Sequence, residues 1–177
     1  MCRYLILIFL FISCSNDPEL VSEFIIQKDL PIEEIEGAEM LHTQNGSLSV
    51  KVIATTIQRF EDIRQQLVFS NGVKVIFYND SGSIKSILEA EDAIVDQASS
   101  LMTASNNIIL TSSEGKKLET SELIWDEQKN KIYTDKKVII TTEKELIEGS
   151  GFESNSDFSE YTISKIYGTF RFESITE

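Results

Sequence analysis

A plan of nine residues recurs four times between Val52 and Asn155. It sets an apolar residue, a small residue two positions on, an apolar or small-apolar residue three after that, and commonly Asp or Asn three further on. The copies are Leu88, Ala90, Ala93, Asp96; then Leu118, Thr120, Leu123, Asp126; then Ile147, Gly149, Phe152, Asn155; and a weaker one at Val52, Ala54, Ile57, with Phe60 in the last place. Their starts lie 36, 30 and 29 residues apart, a spacing that denotes one supersecondary unit stacked several times. The middle copies are closest to each other. At an offset of thirty, Leu88, Glu89, Ile94, Asp96, Ile109 and Thr111 meet identical residues at Leu118, Glu119, Ile124, Asp126, Ile139 and Thr141.

The spacing carries a geometric demand. Residues two apart in a strand share a face, whereas residues three apart do not, so an inward side chain is kept in the third place only by a bend or bulge near the small residue. Ala, Thr or Gly there lets backbones approach closely. Each unit should be a strand, a corner, a second strand and a turn, ending in an apolar strand such as Ile108 to Leu110 or Val138 to Ile140. Such units suit an all-β fold, either a jelly roll or a stacked β-solenoid whose sheets bend at matching corners.

One segment argues otherwise. "SILEAEDAIVDQASSLMTAS" places Ile87, Ala90, Ile94, Ala98 and Leu101 at near-helical spacing and is rich in helix-tolerant residues. Its counterpart thirty residues on contains Trp, Ile, Tyr and Thr around a polar "DEQKNK" turn, and nothing in that copy reads as helix. Two segments of one plan should share one conformation, so strands are expected in both. Period-two alternation supports strands elsewhere. Leu48, Val50 and Val52 share a face, as do Val73, Val75 and Phe77 before a turn at Asn79 to Gly82, and Gly168, Phe170 and Phe172 near the C-terminus. From Ile32 to Glu177 there is no proline.

The N-terminus is of another kind. "MCRYLILIFLFISC" has one basic residue, Arg3, then an apolar run from Tyr4 to Ile12 too short to span a bilayer, which reads as an export signal. Ser13 before Cys14 resembles a bacterial lipobox, with Phe11 where Leu is usual. Residues 1–13 are therefore expected to be a lipoprotein signal peptide. Cys14 would be the lipidated residue, at the head of a tether over 14–31 with one short ordered segment around Phe24 to Ile26. The β domain is expected over 32–177. After cleavage Cys14 is the only cysteine, so no disulfide framework exists, and acylation accounts for the thiol.

Charge and residue inventory bound the function. The net charge of -13 disfavours nucleic acid, whose phosphates need clustered Lys and Arg, and offers no polybasic patch for anionic membranes. His42 is the single histidine, and no nucleophile motif, phosphate loop, zinc motif or C-x-x-C is present. Acid pairs such as Glu33 with Glu34, or Glu91 with Asp92, point to opposite strand faces. Asp126 beside Trp125 recurs as Asp96 and Asn155, which marks a turn former at a repeated corner rather than a unique catalyst. No enzyme, metal or cofactor is expected.

The lipobox, "GVKVIFYNDSGSIKSILEAEDA", "LETSELIWDEQKNKIYTDKKVIIT" and "IEGSGFESN" together resemble the LptC family over roughly Gly46 to Phe172. The most specific parts are the L-x-T-x-x-L-x-W-D beginning at Leu118 and the G-x-G-F beginning at Gly149. The form resembled is the lipoprotein one of Bacteroidota, without an uncleaved transmembrane helix. The resemblance implies a periplasmic β-jellyroll of stacked antiparallel repeats, anchored to the inner membrane by its N-terminal lipid. Such a protein would take lipopolysaccharide from an LptB/LptF/LptG-type ABC transporter and pass it to an LptA-like jellyroll. An acyl-chain trough is then expected from Val75, Phe77, Ile94, Trp125, Ile132, Ile140, Phe152 and Phe170. A partner-binding edge is expected among Tyr161 to Phe172, with Tyr161 and Ile163 on it and Gly149 and Gly151 nearby. A different class of function stays open, in which a surface lipoprotein uses the repeated sheet to bind glycan or protein, with Trp125 and Tyr133 stacking on a sugar.

Overall fold

The computed structural model describes residues 30–60 and 65–171, so Cys14, the signal, Phe24 to Ile26 and Phe172 lie outside the described residues. Ten strands make up most of what is described. They are β1 (Glu33–Gln44), β2 (Ser47–Phe60), β3 (Gln66–Tyr78), β4 (Ile84–Ala90), β5 (Asp92–Asp96), β6 (Leu101–Ser112), β7 (Lys117–Asp126), β8 (Lys131–Thr141), β9 (Glu145–Asn155) and β10 (Tyr161–Arg171). All pair antiparallel in one sheet of order β1-β2-β3-β4-β6-β7-β8-β9-β10, with β5 bonded to β3 and β6. β4 and β5 thus act as one long strand broken at Glu91, and the segment with helical spacing is β4, β5 and the start of β6. Ala90 and Ala93 are buried there by cross-strand partners, Val73 opposite Ala90 and Ala104 opposite Ala93. Long-range burial decides the conformation, as the repeat requires.

The corners fall where the nine-residue plan puts them. Pairing registers shift between Ala54 and Thr56 in β2, between Ser105 and Ile108 in β6, between Thr120 and Ile124 in β7, and between Thr134 and Lys137 in β8. Neighbouring corners are knit by backbone bonds from Gly72 N to Glu91 O (2.8 Å) and from Glu91 N to Asn106 O (3.1 Å). Because the pairings β2–β3, β6–β7, β7–β8 and β8–β9 all slip at this corner, Ala54 and Ile57, Leu118 and Leu123, and Ile147 and Phe152 are all buried despite their odd parity.

The shared corner divides the sheet into two arms. In the first arm one apolar row crosses eight strands by direct pairing, from Met40 through Val52, Val75, Leu88, Leu110, Leu118 and Ile140 to Ile147. At ordinary strand spacing this row is about 34 Å long. In the second arm the corresponding row runs Leu67, Val95, Met102, Trp125, Ile132, Ser154, Tyr161. The inner faces of the two arms form one hydrophobic core, closing a β-jellyroll.

The fourth place of the three stronger units makes the hairpin turn beyond the second arm, not the corner. Asp96 Oδ1 accepts from the Ala98 and Ser99 amides, Asp126 Oδ1 from Lys129 N, and Asn155 Oδ1 from Ser159 N and Glu160 N. Each is a side chain capping its own turn. The expectation for Asp126 is corrected in place, from corner to turn, and kept in kind.

Candidate functional site

The site is the space between the arms. Of the eight residues expected to line it, six come together. Val75, Ile132 and Ile140 are fully buried, Phe77 and Phe152 are exposed by only 2%, and Trp125 packs on the same cluster from the rim. They form a packed interior rather than an open groove. Phe77 of the first arm meets Trp125 of the second edge to face, with ring centroids 5.0 Å apart and planes at 87°.

Ile94 and Phe170 do not join them, and both are corrected. Ile94 lies between inward Ala93 and Val95, pairs with Val68 and Thr103 on the outer face, and is 42% exposed. Its near-helical spacing from Ala90 has no meaning in a strand. Phe170 pairs with Leu146 and is 60% exposed, while Thr169 takes the place opposite buried Ile147. The alternation that groups Phe170 with Gly168 holds, but the pairing of Gly168 with Glu148 and of Phe170 with Leu146 puts that set on the outer face.

Gly149 and Gly151 serve the inside of the β9–β10 pair instead of a partner-facing edge. A Cβ on Gly149 would lie 2.6 Å from Ile163 Cγ2 and 2.6 Å from the Lys165 carbonyl oxygen. Gly151 has a φ of 68°, and a Cβ there would meet Ser164 at 2.8 Å. Tyr161 and Ile163 turn inward and are half-buried against the core. The apolar residues that β10 leaves exposed are Ile166, Tyr167 and Phe170. At the other end of the sheet β1 exposes Ile35 and Met40 from the inner row and Leu41 from the outer face. Both β1 and β10 are paired on one side only among the described residues.

The open side of the jellyroll, opposite the corner, is held shut by contacts from arm to arm. His42 Nε2 of β1 lies 3.2 Å from Glu127 Oε1 in the β7–β8 turn. Phe77 meets Trp125 next. Ser86 Oγ then donates to the Ser156 carbonyl at 2.5 Å, and Lys116 Nζ to the Ser159 carbonyl at 3.1 Å. The last two belong to a loop that sequence reasoning missed. Phe158, within the polar run "NSDFSE", is fully buried at a φ of 56°, with Phe152 and Tyr161 5.6 and 5.5 Å away. A single aromatic flanked by turn formers was the available signal.

The outer face is charged and internally matched. Lys51 pairs with Glu39 at 2.8 Å, Lys74 with Glu89 at 2.9 Å, Lys137 with Glu148 at 3.1 Å, and Lys131 with Glu153. Asp126 is committed to its turn. Its carboxylate accepts from Lys129 Nζ at 2.7 Å and from the Lys129 amide, and these bonds hold its pKa below the ordinary value. Such a carboxylate is held ionised at neutral pH as part of its turn.

A single bent antiparallel sheet, apolar between its arms and charged outside, with β1 and β10 each paired on one side only among the described residues, defines a β-jellyroll. The family model for lipopolysaccharide-assembly, LptC-related proteins matches residues 4–167, and the chain belongs to that family. No curated protein matches it closely enough to be named as a relative. Membership agrees with the resemblance carried by the Leu118 and Gly149 motifs. The family works in lipopolysaccharide transport, is periplasmic and associated with the inner membrane, and is a transport component not known as an enzyme.

Proposed function

We propose that this chain is the lipopolysaccharide-binding relay of a transport bridge. It receives the lipid from an LptB/LptF/LptG-type ABC transporter and passes it to an LptA-like jellyroll. The observation that carries the reading is the apolar row from Met40 to Ile147, unbroken across eight strands and faced by a second apolar arm. Acyl chains would lie between the arms, against Val75, Phe77, Trp125, Ile132, Ile140 and Phe152, once the contacts across the open side part. The outer sides of β1 and β10, without a paired strand among the described residues, support edge-to-edge addition of the neighbouring proteins, since a strand edge offers its backbone donors and acceptors to another chain. Attachment to the inner membrane is assigned to an acylated Cys14 after removal of residues 1–13, with the tether running to residue 31. The charge of -13 and the matched outer face fit no nucleic acid partner.

A glycan-binding surface has less support. Trp125 is on the inner row opposite Met102 and Ile132, whereas Tyr133 pairs with Ile124 on the outer face, so the two do not form one stacking platform.

Site-specific photo-crosslinking in envelopes tests the proposal. A photoreactive residue at Phe77 should give lipopolysaccharide adducts, and one at outward Lys51 or Lys74 should not. Adducts of equal yield from both faces, or from neither, would remove the basis for an interior lipid path.

A further inference from the structure

We infer that the indole N–H of Trp125 is a recognition donor for an oxygen at the root of a lipid acyl chain, an ester or amide carbonyl. The inference rests on the lipid reading given above and adds to it a polar contact and a position. Trp125 Nε1 has less than 1 Å² exposed and no hydrogen-bond partner among the described residues. Among the described residues Arg59 Nε is the one other buried side-chain donor or acceptor without a partner, and the buried hydroxyls are satisfied. Ser86 Oγ donates to Ser156 O, Ser154 Oγ donates to Glu160 O, and Thr134 Oγ1 accepts from Lys136 N. A buried donor without an acceptor is costly, and a phenylalanine would fill the place without that cost. Along its row Trp125 has only Met102 and Ile132 beside it, and Phe77 across the seam, none of which carries a strong acceptor.

The position makes the donor useful. Trp125 stands next to the β7–β8 turn, where Glu127 pairs with His42, so the indole lies at the boundary between apolar interior and charged rim. When a lipid lies with its chains between the arms and its headgroup in water, the ester or amide carbonyls sit at that same boundary. Parting the Phe77–Trp125 contact would let one of them reach Nε1.

Trp125 is the only tryptophan, so the ¹⁵N-labelled full-length protein gives one indole N–H resonance. It should be titrated with lipid A, with an ester-linked diacyl phosphatidylglycerol, and with the diether analogue of the same chain length. Lipid A and the ester lipid should move the indole proton downfield, and the diether, which lacks the carbonyl, should move it far less. The native protein should bind the ester about five-fold more tightly than the diether, and Trp125→Phe should bring that ratio close to one. An indole proton that stays in place while lipid A binds overturns the inference and spares the lipid reading, as does an ester preference that survives Trp125→Phe. Failure of the native protein to bind any of the three lipids overturns both. The indole shift is read on the native protein, so the outcome does not depend on how the variant folds.

Discussion

Replacing Gly149 with alanine tests the corner and the C-terminal edge together. The residue has no positive φ, so nothing in the backbone preference of alanine opposes the change. The opposition is spatial. The new Cβ would lie 2.6 Å from Ile163 Cγ2, a branch close to its own backbone, and 2.6 Å from the Lys165 carbonyl oxygen. Ordinary carbon contacts lie at about 3.5–4.0 Å, so the strands must separate by roughly 1 Å. A cost of about 2–3 kcal/mol is expected, the upper part of the range for overpacking. β10 is the strand that should yield, because β9 is its one paired neighbour among the described residues. Urea unfolding should show the loss, and hydrogen exchange should place it in the amides of Tyr161 to Phe170, with β2 and β3 protected as before. A loss under about 0.5 kcal/mol, or one spread evenly over the sheet, would refute the argument that Gly149 is required by close approach of β10.

Three further outcomes follow from the same structure. Phe158→Ala should lower stability by about 3–5 kcal/mol in urea unfolding, since a fully buried ring is lost from the Phe152–Tyr161 cluster; an effect below 1 kcal/mol would mean the loop is not a structural plug. Asp126→Asn should be less stable than native at neutral pH. The hydrogen bonds from Lys129 depress the native pKa below 3.8, so the stabilisation is full above that value and is lost as pH falls through the lower native one; the gap in urea midpoint should close below about pH 4, and a gap independent of pH would count against it. Cys14→Ala should leave the β domain folded by circular dichroism and release the protein from sedimented membranes, and retention in the pellet would argue for a different anchor.

What could be read in the sequence was what repeats. The spacing of Leu118, Thr120, Leu123 and Asp126 encodes a strand, a bulge, a strand and a turn, and the structure places all of these in that order. Two copies were enough to overrule the helical spacing of Ile87 to Leu101, because burial of Ala90 and Ala93 depends on strands distant in sequence. What could not be read was the inner face beyond a bulge. Ile94 follows the break at Glu91, and Phe170 follows the shift between Ile166 and Gly168. At the first the inner face passes from Ala90 to Ala93 and leaves Ile94 outside; beyond the second the alternation of Gly168 with Phe170 holds, but nothing in it says that the apolar set faces out. Val75, Phe77, Ile132 and Ile140 were placed inside because no break intervenes within their local alternation. Contacts between arms were also illegible, since nothing in the chain order brings Phe77 to Trp125, His42 to Glu127, or Ser86 to Ser156.

Those contacts bear on how a relay works. A relay that held its lipid as tightly as a storage protein would stall, because each hand-off needs release. In this jellyroll the six inner side chains pack on one another, and the row across the open side closes with an aromatic pair, two hydrogen bonds to loop carbonyls and one contact of an imidazole with a carboxylate. A lipid entering between the arms must replace these contacts, and its departure restores them. The aromatic pair alone is worth about 0.5–1.5 kcal/mol beyond its buried area, and each hydrogen bond about 0.5–1.5 kcal/mol. Restoration of the seam therefore offsets several kcal/mol of the apolar gain from acyl burial. On the reading proposed above, the closed interior is what keeps binding reversible, and weakening the seam at Ser86, which is not among the acyl-chain contacts, should lengthen lipid residence while slowing transfer.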